Sequence, residues 1–266
     1  MKNLCAVVIP IYKDGLSSFE VKSLKQCVKI LSNYQFVFVS PYGIEMKEIN
    51  AIMGAKSYVI EFFENKFFAG VEGYNRLMMT KDFYRRFCKK FEYILIYQLD
   101  CFVFSDQLTE WCHRGYDYVG APWFIDYGEH KTQNDLWLCG NGGFSLRKVS
   151  YFLKVLSWPF PFKWNVKLIA RRYYFRLMLS FLKGTGNVTL FEVDSSIEGN
   201  QEDVFFSYYT RNTPVSPNIP AAEVAMSFAF EKSPSYLYEL NNKKLPFGCH
   251  AFHKWEYDSF WKKFID

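Results

Sequence analysis

No stretch of this 266-residue chain approaches the ~20 consecutive apolar residues that cross a bilayer, so nothing in it reads as an integral membrane span. Cysteine is sparse and scattered: Cys5, Cys27, Cys88, Cys101, Cys112, Cys139 and Cys249 include no Cys-x-x-Cys pair. An odd set of this kind argues against a disulfide framework or a zinc ribbon and for reduced core thiols, which sets the expectation of a cytoplasmic protein. Internal repeats, low-complexity tracts and Gly/Ser-rich linkers are also missing, so residues 1–266 read as a single domain. The first apolar stretch, residues 4–11, runs into Tyr12-Lys13-Asp14 where a signal peptide would carry small residues, and it reads as a buried strand. Disorder is excluded by composition, since 50% of the residues are hydrophobic and 20% aromatic, enough to bury a sizeable core.

Acidic residues are absent between Asp135 and Glu192, a stretch that carries Arg147, Lys148, Lys154, Lys163, Lys167, Arg171, Arg172, Arg176 and Lys183. The formal net charge of the whole chain is only +5, so the remainder is net negative. Such asymmetry points to an anionic partner for that face, whether phosphate, nucleic acid or lipid. Wound at about 100° per residue, residues 163–183 put Val166, Ile169, Ala170, Tyr173 and Leu177 on one side and Trp164, Leu168, Phe175, Leu179 and Leu182 on another. One apolar face can pack on the domain. The other needs a cover, supplied by another part of the chain, a second subunit or an anionic membrane surface. Nucleic acid is disfavoured because bulky apolar residues interrupt the basic ones and no docking motif is present.

The remaining pattern alternates between strand and helix. Strands are expected over 4–11, 36–39 and 57–60 and helices over 17–31 and 45–53, a βαβαβ start. A helical pattern over 74–91 leads into the apolar run 93–99, which ends abruptly in Asp100. A run buried on both faces is the mark of a central parallel strand, and ligands of open α/β sheets bind outside the carboxyl ends of such strands. Asp is equally at home at a turn or helix start. A short strand over 116–123 and a Gly turn at Asn141-Gly142-Gly143 that opens another strand come next. Residues 151–190 read as a basic amphipathic insertion, and its Asn187-Val188-Thr189 sequon reads as chance in a cytoplasmic chain.

Three further places carry candidate chemistry. Glu202-Asp203 opens a helix or strand, either as macrodipole-stabilised acids or as a general base. His250 and His253, two of only four histidines, fall late in the chain, where one can return to the Asp100 edge as a metal ligand. Asn141, Gly142 and Gly143 let backbone approach a ligand closely, as they would also form a tight hairpin.

Taken in order, residues 6–12, Gln98-Leu99-Asp100, Gly120-Ala121-Pro122-Trp123, Gly140-Asn141-Gly142-Gly143, Gln201-Glu202-Asp203 and Gly248-Cys249-His250 resemble the GT-A class of nucleotide-sugar glycosyltransferases. More closely, the set is similar to a bacterial family catalogued as a domain of unknown function, DUF5672, which is assigned to that class. The resemblance covers nearly the whole chain. It implies an α/β, Rossmann-like GT-A fold with a mixed central sheet and helices on both faces. It implies a nucleotide-sugar donor, UDP-linked by preference, and a glycan or lipid-linked glycan acceptor. Asp100 falls at the last acid of the Asp-x-Asp motif that binds Mn²⁺ or Mg²⁺, with His250 completing the metal shell. Gln98 replaces the first acid and brings no charge, which weakens the implied metal dependence. Pro10, Tyr12 and Lys13 fall where such enzymes hold the nucleotide, and Asn141, Gly142 and Gly143 where they line the donor sugar. Trp123 would offer an apolar face to an acceptor ring. In inverting members Asp203 would be the base and Glu202 a sugar or acceptor contact.

Two other classes fit parts of the pattern. A metal-dependent phosphoesterase uses acids and histidine at strand ends, but a two-metal site needs more acids than this spacing offers. A non-catalytic nucleotide- or sugar-binding module is suggested by Gln98. The basic stretch yields its own expectation: if residues 163–183 meet an anionic leaflet, each cation adding about 1 kcal/mol, the protein co-floats with anionic vesicles and not with neutral ones. Failure to co-float removes the membrane surface as a partner.

Overall fold

The computed structural model describes residues 2–125, 136–158 and 201–265. Its first half follows the expected alternation: β1 (Asn3–Pro10), α1 (Ser18–Ile30), β2 (Gln35–Pro41), α2 (Lys47–Met53), β3 (Tyr58–Phe63), α3 (Gly70–Met78), α4 (Lys81–Phe87) and β4 (Phe91–Tyr97). Local chemistry explains the boundaries. Ser17 caps α1 in a reciprocal capping box with Glu20, whose carboxylate accepts from the Ser17 N–H at 2.7 Å. The single helix expected over 74–91 is instead two helices and the start of a strand. The Thr80 hydroxyl accepts from the Phe83 N–H at 3.2 Å and donates to the Leu77 carbonyl at 2.8 Å, so it caps a new helix in the middle of an unbroken apolar pattern.

β5 (Phe102–Val103), α5 (Leu108–His113), β6 (Tyr118–Val119), β7 (Pro122–Phe124), β8 (Leu136–Cys139), β9 (Phe144–Lys148) and α6 (Val149–Ser157) follow. The strand expected over 116–123 is split into β6 and β7. A Cβ at Gly120 would lie 1.8 Å from the Gly140 carbonyl oxygen, so two backbones touch there and the chain leaves the large sheet. The stretch expected as an insertion begins within α6, whose Tyr151, Phe152, Val155 and Leu156 are buried in the core. The rest of it, with the amphipathic helix over 163–183 and the sequon at Asn187, lies outside the described residues. The chain closes with α7 (Glu202–Ser207), α8 (Ala222–Ala225), β10 (Ala229–Phe230), α9 (Pro234–Leu240), β11 (Gly248–Cys249) and α10 (Lys262–Ile265). Among the described residues no helix is long and apolar enough to cross a membrane.

The main sheet has the order β3-β2-β1-β4-β9-β6. β1 to β4 are parallel, and β9 runs antiparallel to both β4 and β6. This mixed sheet with helices on both faces is the α/β, Rossmann-like architecture that the resemblance implies, and its first half follows the alternation of strand and helix. Cys5, Val7 and Ile9 of β1 and Tyr93, Leu95 and Tyr97 of β4 enter the core formed with α1, α2 and α5. Ala6, Val8, Ile94 and Ile96 enter the opposite core with α3, α4, α6 and α7. Alternation between two buried faces is why these strands read as continuous apolar runs.

The strand order reverses between β1 and β4. The chain winds outward through β2 and β3 and then returns to the other side of β1, which opens a crevice at the carboxyl ends of β1 and β4. A small sheet, β10-β11-β5, closes one wall. Phe144 joins the two sheets, with its ring centroid 5.2 Å from each of the Phe228 and Phe247 rings and 5.8 Å from Tyr97. It is fully buried. Phe144→Ala should therefore cost about 3–5 kcal/mol, read as a lower urea midpoint with little change in slope, and a loss below about 1 kcal/mol would show that the joint is not tightly packed.

Candidate active site

The crevice is a cleft of about 780 Å³, and most of the residues singled out from the sequence line it. Tyr12, Gln98, Asp100, Trp123, Asn141, Gly142, Gly143, Glu202, Asp203 and His250 all reach it. Pro10 and Lys13 do not. They border a shallow neighbouring recess, where the Lys13 Nζ pairs with Glu20 at 2.9 Å.

Strand register brings the distant residues together. In the small sheet Cys249 pairs with Phe102 and Phe230 with Cys249, so one step further along each ladder sets His250 beside Cys101, next to Asp100, and Glu231 beside His250. In the main sheet Tyr97 pairs with Phe144, and the next step sets Gln98 against Gly143, whose carbonyl accepts from the Gln98 N–H at 2.9 Å. Three ladders thus end at one place.

The resulting charge cluster has His250 at its centre. Its Nε2 lies 3.3 Å from Asp100 Oδ1 and 3.3 Å from Gln98 Oε1, and its Nδ1 lies 3.2 Å from Glu231 Oε1. The Lys254 ammonium stands 3.5 Å from Asp100 Oδ2. Burial by itself would raise the Asp100 pKa, but the contact with His250 and the charge of Lys254 outweigh it and hold the carboxyl at about 2. Burial would lower the His250 pKa, and its two carboxylate partners push it up to about 10 instead. Glu231 is held below the usual carboxylate range because His250 outweighs its burial.

These residues fit a divalent cation. Asp100 Oδ1 is buried, and its ion-pair partner is an imidazole nitrogen whose ring partner is anchored by a second carboxylate. A carboxylate behind the far nitrogen is what orients a metal-binding histidine. Asp100, Cys101 and His250 place ligand atoms within 4.8 Å of one another. Cys101 is the odd member: its thiol donates to the Gly143 carbonyl at 3.2 Å, and burial pushes its pKa well up, so it stays protonated. One carboxylate and one imidazole are two ligands that a divalent cation could take here.

The opposite wall is built on Arg147 and Glu202. Asn141 adopts a left-handed φ of 66°, which Asn tolerates better than most residues, and its Oδ1 accepts from the Gly143 N–H at 3.1 Å. The Gly142 N–H then donates to Asp203 Oδ2 at 3.0 Å, while the Val204 N–H donates to Oδ1 at 2.8 Å. Burial, followed by the charge of Glu202, pushes the Asp203 carboxyl up to about 7. Gly142 and Gly143 are required by close approach. A Cβ at Gly142 would lie 2.2 Å from Glu202 Oε1, and one at Gly143 would lie 2.1 Å from His250 Nε2.

Several partners were not singled out from the sequence. Arg147 was counted with the cations facing an anionic partner, yet it is fully buried and paired with Glu202 at 2.7 Å. Charge counting cannot see burial. Glu231 carried a readable signal, since Phe228-Ala229-Phe230 ends in an acid just as residues 93–99 end in Asp100. Tyr74, Asn75 and Lys254 also line the cleft.

Residues 57–250 match the model of the family described as "Protein of unknown function (DUF5672)". No curated protein matches the chain in sequence. Among solved structures the chain is similar to the apo form of the glycosyltransferase GlyE of Streptococcus pneumoniae TIGR4, with 12% identity, 94% of this chain and 54% of that chain covered, and a TM-score of 0.45. It is similar to core-mannan synthase A (CmsA/Ktr4) of Aspergillus fumigatus in its Mn/GDP form, with 10% identity, 58% and 63% covered, and a TM-score of 0.42. It is also similar to S. aureus TarS 1-349, with 12% identity, 58% and 49% covered, and a TM-score of 0.37. The chain spans less than two thirds of each of these structures.

The charge cluster makes a direct prediction. In the metal-free protein the His250 ring remains an imidazolium through neutral pH and loses its proton only near pH 10, whereas Glu231→Gln, by removing one of its two carboxylates, brings that titration down. Histidine ring NMR against pH checks both. A wild-type His250 that titrates near the ordinary value of about 6.5 refutes the cluster.

Proposed function

The chain belongs to the DUF5672 family, and from that footing we propose that it is a glycosyltransferase. It moves a sugar from a nucleotide-sugar donor, UDP-linked by preference, to a glycan or lipid-linked glycan acceptor, with inversion at the anomeric carbon. One observation carries this reading. The Asn141-Gly142-Gly143 turn touches both halves of the cleft, since Gly142 donates to Asp203 and Gly143 packs against His250 beside Asp100. A single displacement needs that pairing, with a base on one side of the reacting carbon and charge neutralisation on the other.

The chemistry follows from the two acids. Asp203 takes the proton of the acceptor hydroxyl, whose oxygen attacks the anomeric carbon while the bond to the donor diphosphate breaks and the diphosphate leaves with the electron pair. With a pKa of about 7, Asp203 is basic enough to accept a proton and still ionised in a large fraction of molecules at neutral pH. Asp100, held ionised, and His250 would hold Mn²⁺ or Mg²⁺, which supplies Lewis-acid stabilisation of the leaving diphosphate. Lys254, beside Asp100, adds a positive charge on that side. Trp123 lines the cleft and packs with Val204, next to Asp203, where it offers an apolar face to an acceptor ring. On this reading the protein works in the cytoplasm, with residues 163–183 bringing it to the inner leaflet where lipid-linked acceptors lie.

Calorimetric titration with UDP, GDP and CMP, each with and without Mn²⁺, tests the donor side. One nucleotide is expected to bind, more tightly with metal, and no binding of any would favour a degenerate module. Asp203→Asn should keep nucleotide binding and lose about 10²-fold or more of transfer. Because the base must be ionised, the wild-type rate should climb as pH rises through about 7 and then level off. Full turnover in Asp203→Asn would sink the base assignment.

A further inference from the structure

Away from the cleft, β3 forms a long edge of the main sheet. It stands at one end of the order β3-β2-β1-β4-β9-β6 and is six residues long, where β6 at the other end has two. Among the described residues its backbone pairs only with β2, so its outer side has no strand partner there. Proteins blunt such edges with lysine, proline, a bulge or a cover, because a bare edge templates another strand. Residues 58–63 contain no lysine and no proline, and their register with β2 is unbroken. Their single charge, Glu61, is paired with Arg86 on α4 at 3.1 Å.

Apolar side chains gather along this edge. Val59 and Phe62 are 38% and 37% exposed. Tyr42, just beyond β2 and 64% exposed, stacks on Phe62 with ring centroids 5.2 Å apart and planes 13° apart. Alternation puts Tyr58, Ile60 and Phe62 on one face of the sheet and Val59, Glu61 and Phe63 on the other. Tyr58 is fixed on the first face: its ring meets Phe38 edge-on at 5.0 Å, and its hydroxyl donates to Asn50 on α2.

The edge is complementary to itself. Two copies joined edge to edge about a two-fold axis run antiparallel, and each residue then faces one from the same side of the sheet. Centred on Ile60, such a pairing sets Ile60 against its own copy, Tyr58 against Phe62 of the second copy, and exposed Lys56 against exposed Glu64 of the second copy. Centring on Glu61 would bring two like charges together, and centring on Val59 would set Lys56 against Phe62. We propose that β3 pairs with β3 of a second copy of this chain in the Ile60-centred register, so that one sheet runs through a two-fold dimer. The charge match favours a second copy over a foreign strand, because both members of it lie within residues 56–64. β3 leads into residues 65–71, of which Phe67, Phe68, Gly70 and Val71 line the cleft, so the contact lies at the foot of one wall of each site.

Sedimentation of the full chain from low to high micromolar concentration tests this. A species of twice the 31.5 kDa chain mass should grow with concentration. Lys56→Glu and Glu64→Lys each reverse one exposed charge and should weaken the dimer about tenfold, because the axis repeats every like-charge contact. The double variant exchanges the signs and should restore it. Glu64 is held by Lys66 of its own chain at 2.8 Å, with both side chains more than half exposed, so these changes spare the core. Ile60→Lys sets two ammonium groups across the axis and should leave a monomer with the wild-type circular dichroism. If that variant misfolds, the charge reversals decide. Hydrogen exchange reads the contact itself: amides of residues 58–63 should exchange more slowly in concentrated than in dilute wild type. A wild type that stays monomeric throughout overturns the proposal and leaves the edge to a strand from another protein. A dimer that neither charge reversal weakens overturns it too, as does one whose β3 amides exchange alike at all concentrations.

Discussion

The buried ion pair between Arg147 and Glu202 is the contact on which the site depends. Every face of the guanidinium is used: Nε donates to Ser145 Oγ at 2.9 Å, Nη1 to the Tyr84 hydroxyl at 3.1 Å, and Nη2 to Glu202 Oε1 at 2.7 Å and the Gly142 carbonyl at 3.2 Å. Burying two charges is expensive, and such a pair is seldom worth more to stability than well-packed apolar residues of the same volume. Breaking it by removing one partner is costly, about 3–5 kcal/mol, because a lone charge is left inside. What the pair provides is geometry. It fastens α7 to β9 and to the turn between β8 and β9, and so sets the height of Asp203 above the sheet.

Two aspartates share the cleft and are driven apart in acidity by their surroundings. Asp100 stands among cations and stays ionised, while Asp203 stands among apolar side chains with an anion next to it. Divergent environments for two carboxylates are the physical mark of divided labour in a site. The division comes from neighbours, not from the residues themselves. His250 and Lys254 arrive from the end of the chain, and Glu202 precedes Asp203 directly in sequence.

The βαβαβ start and the position of Asp100 were legible because strand and helix periods alternate cleanly there and the apolar run ends in an acid. The break at Thr80 was not, since a capping hydroxyl inside an amphipathic pattern leaves the period intact. Ten of the twelve residues singled out for the site line one cleft, and the exceptions, Pro10 and Lys13, sit one step short of it, where Lys13 is held by Glu20. Arg147 shows the limit of counting charge along a chain: a cation in a basic stretch looks solvated until the fold supplies its anion. Glu231 was missed although it carries the same strand-end signature as Asp100, because its strand spans only Ala229–Phe230.

The small sheet has a consequence for how the site moves. β5, β10 and β11 each contribute two residues, whereas β1 and β4 run to eight and seven. Local opening of a protein follows the elements with the fewest protecting hydrogen bonds, on a scale that runs from fraying ends to global unfolding. His250 and Glu231 hang from the short ladders, and Gly142 and Gly143 directly precede β9, which is paired on both sides within the main sheet. By hydrogen-bond count the wall that carries His250 and Glu231 is the less protected of the two, and the wall that carries Gly142 and Gly143 is held by the main sheet.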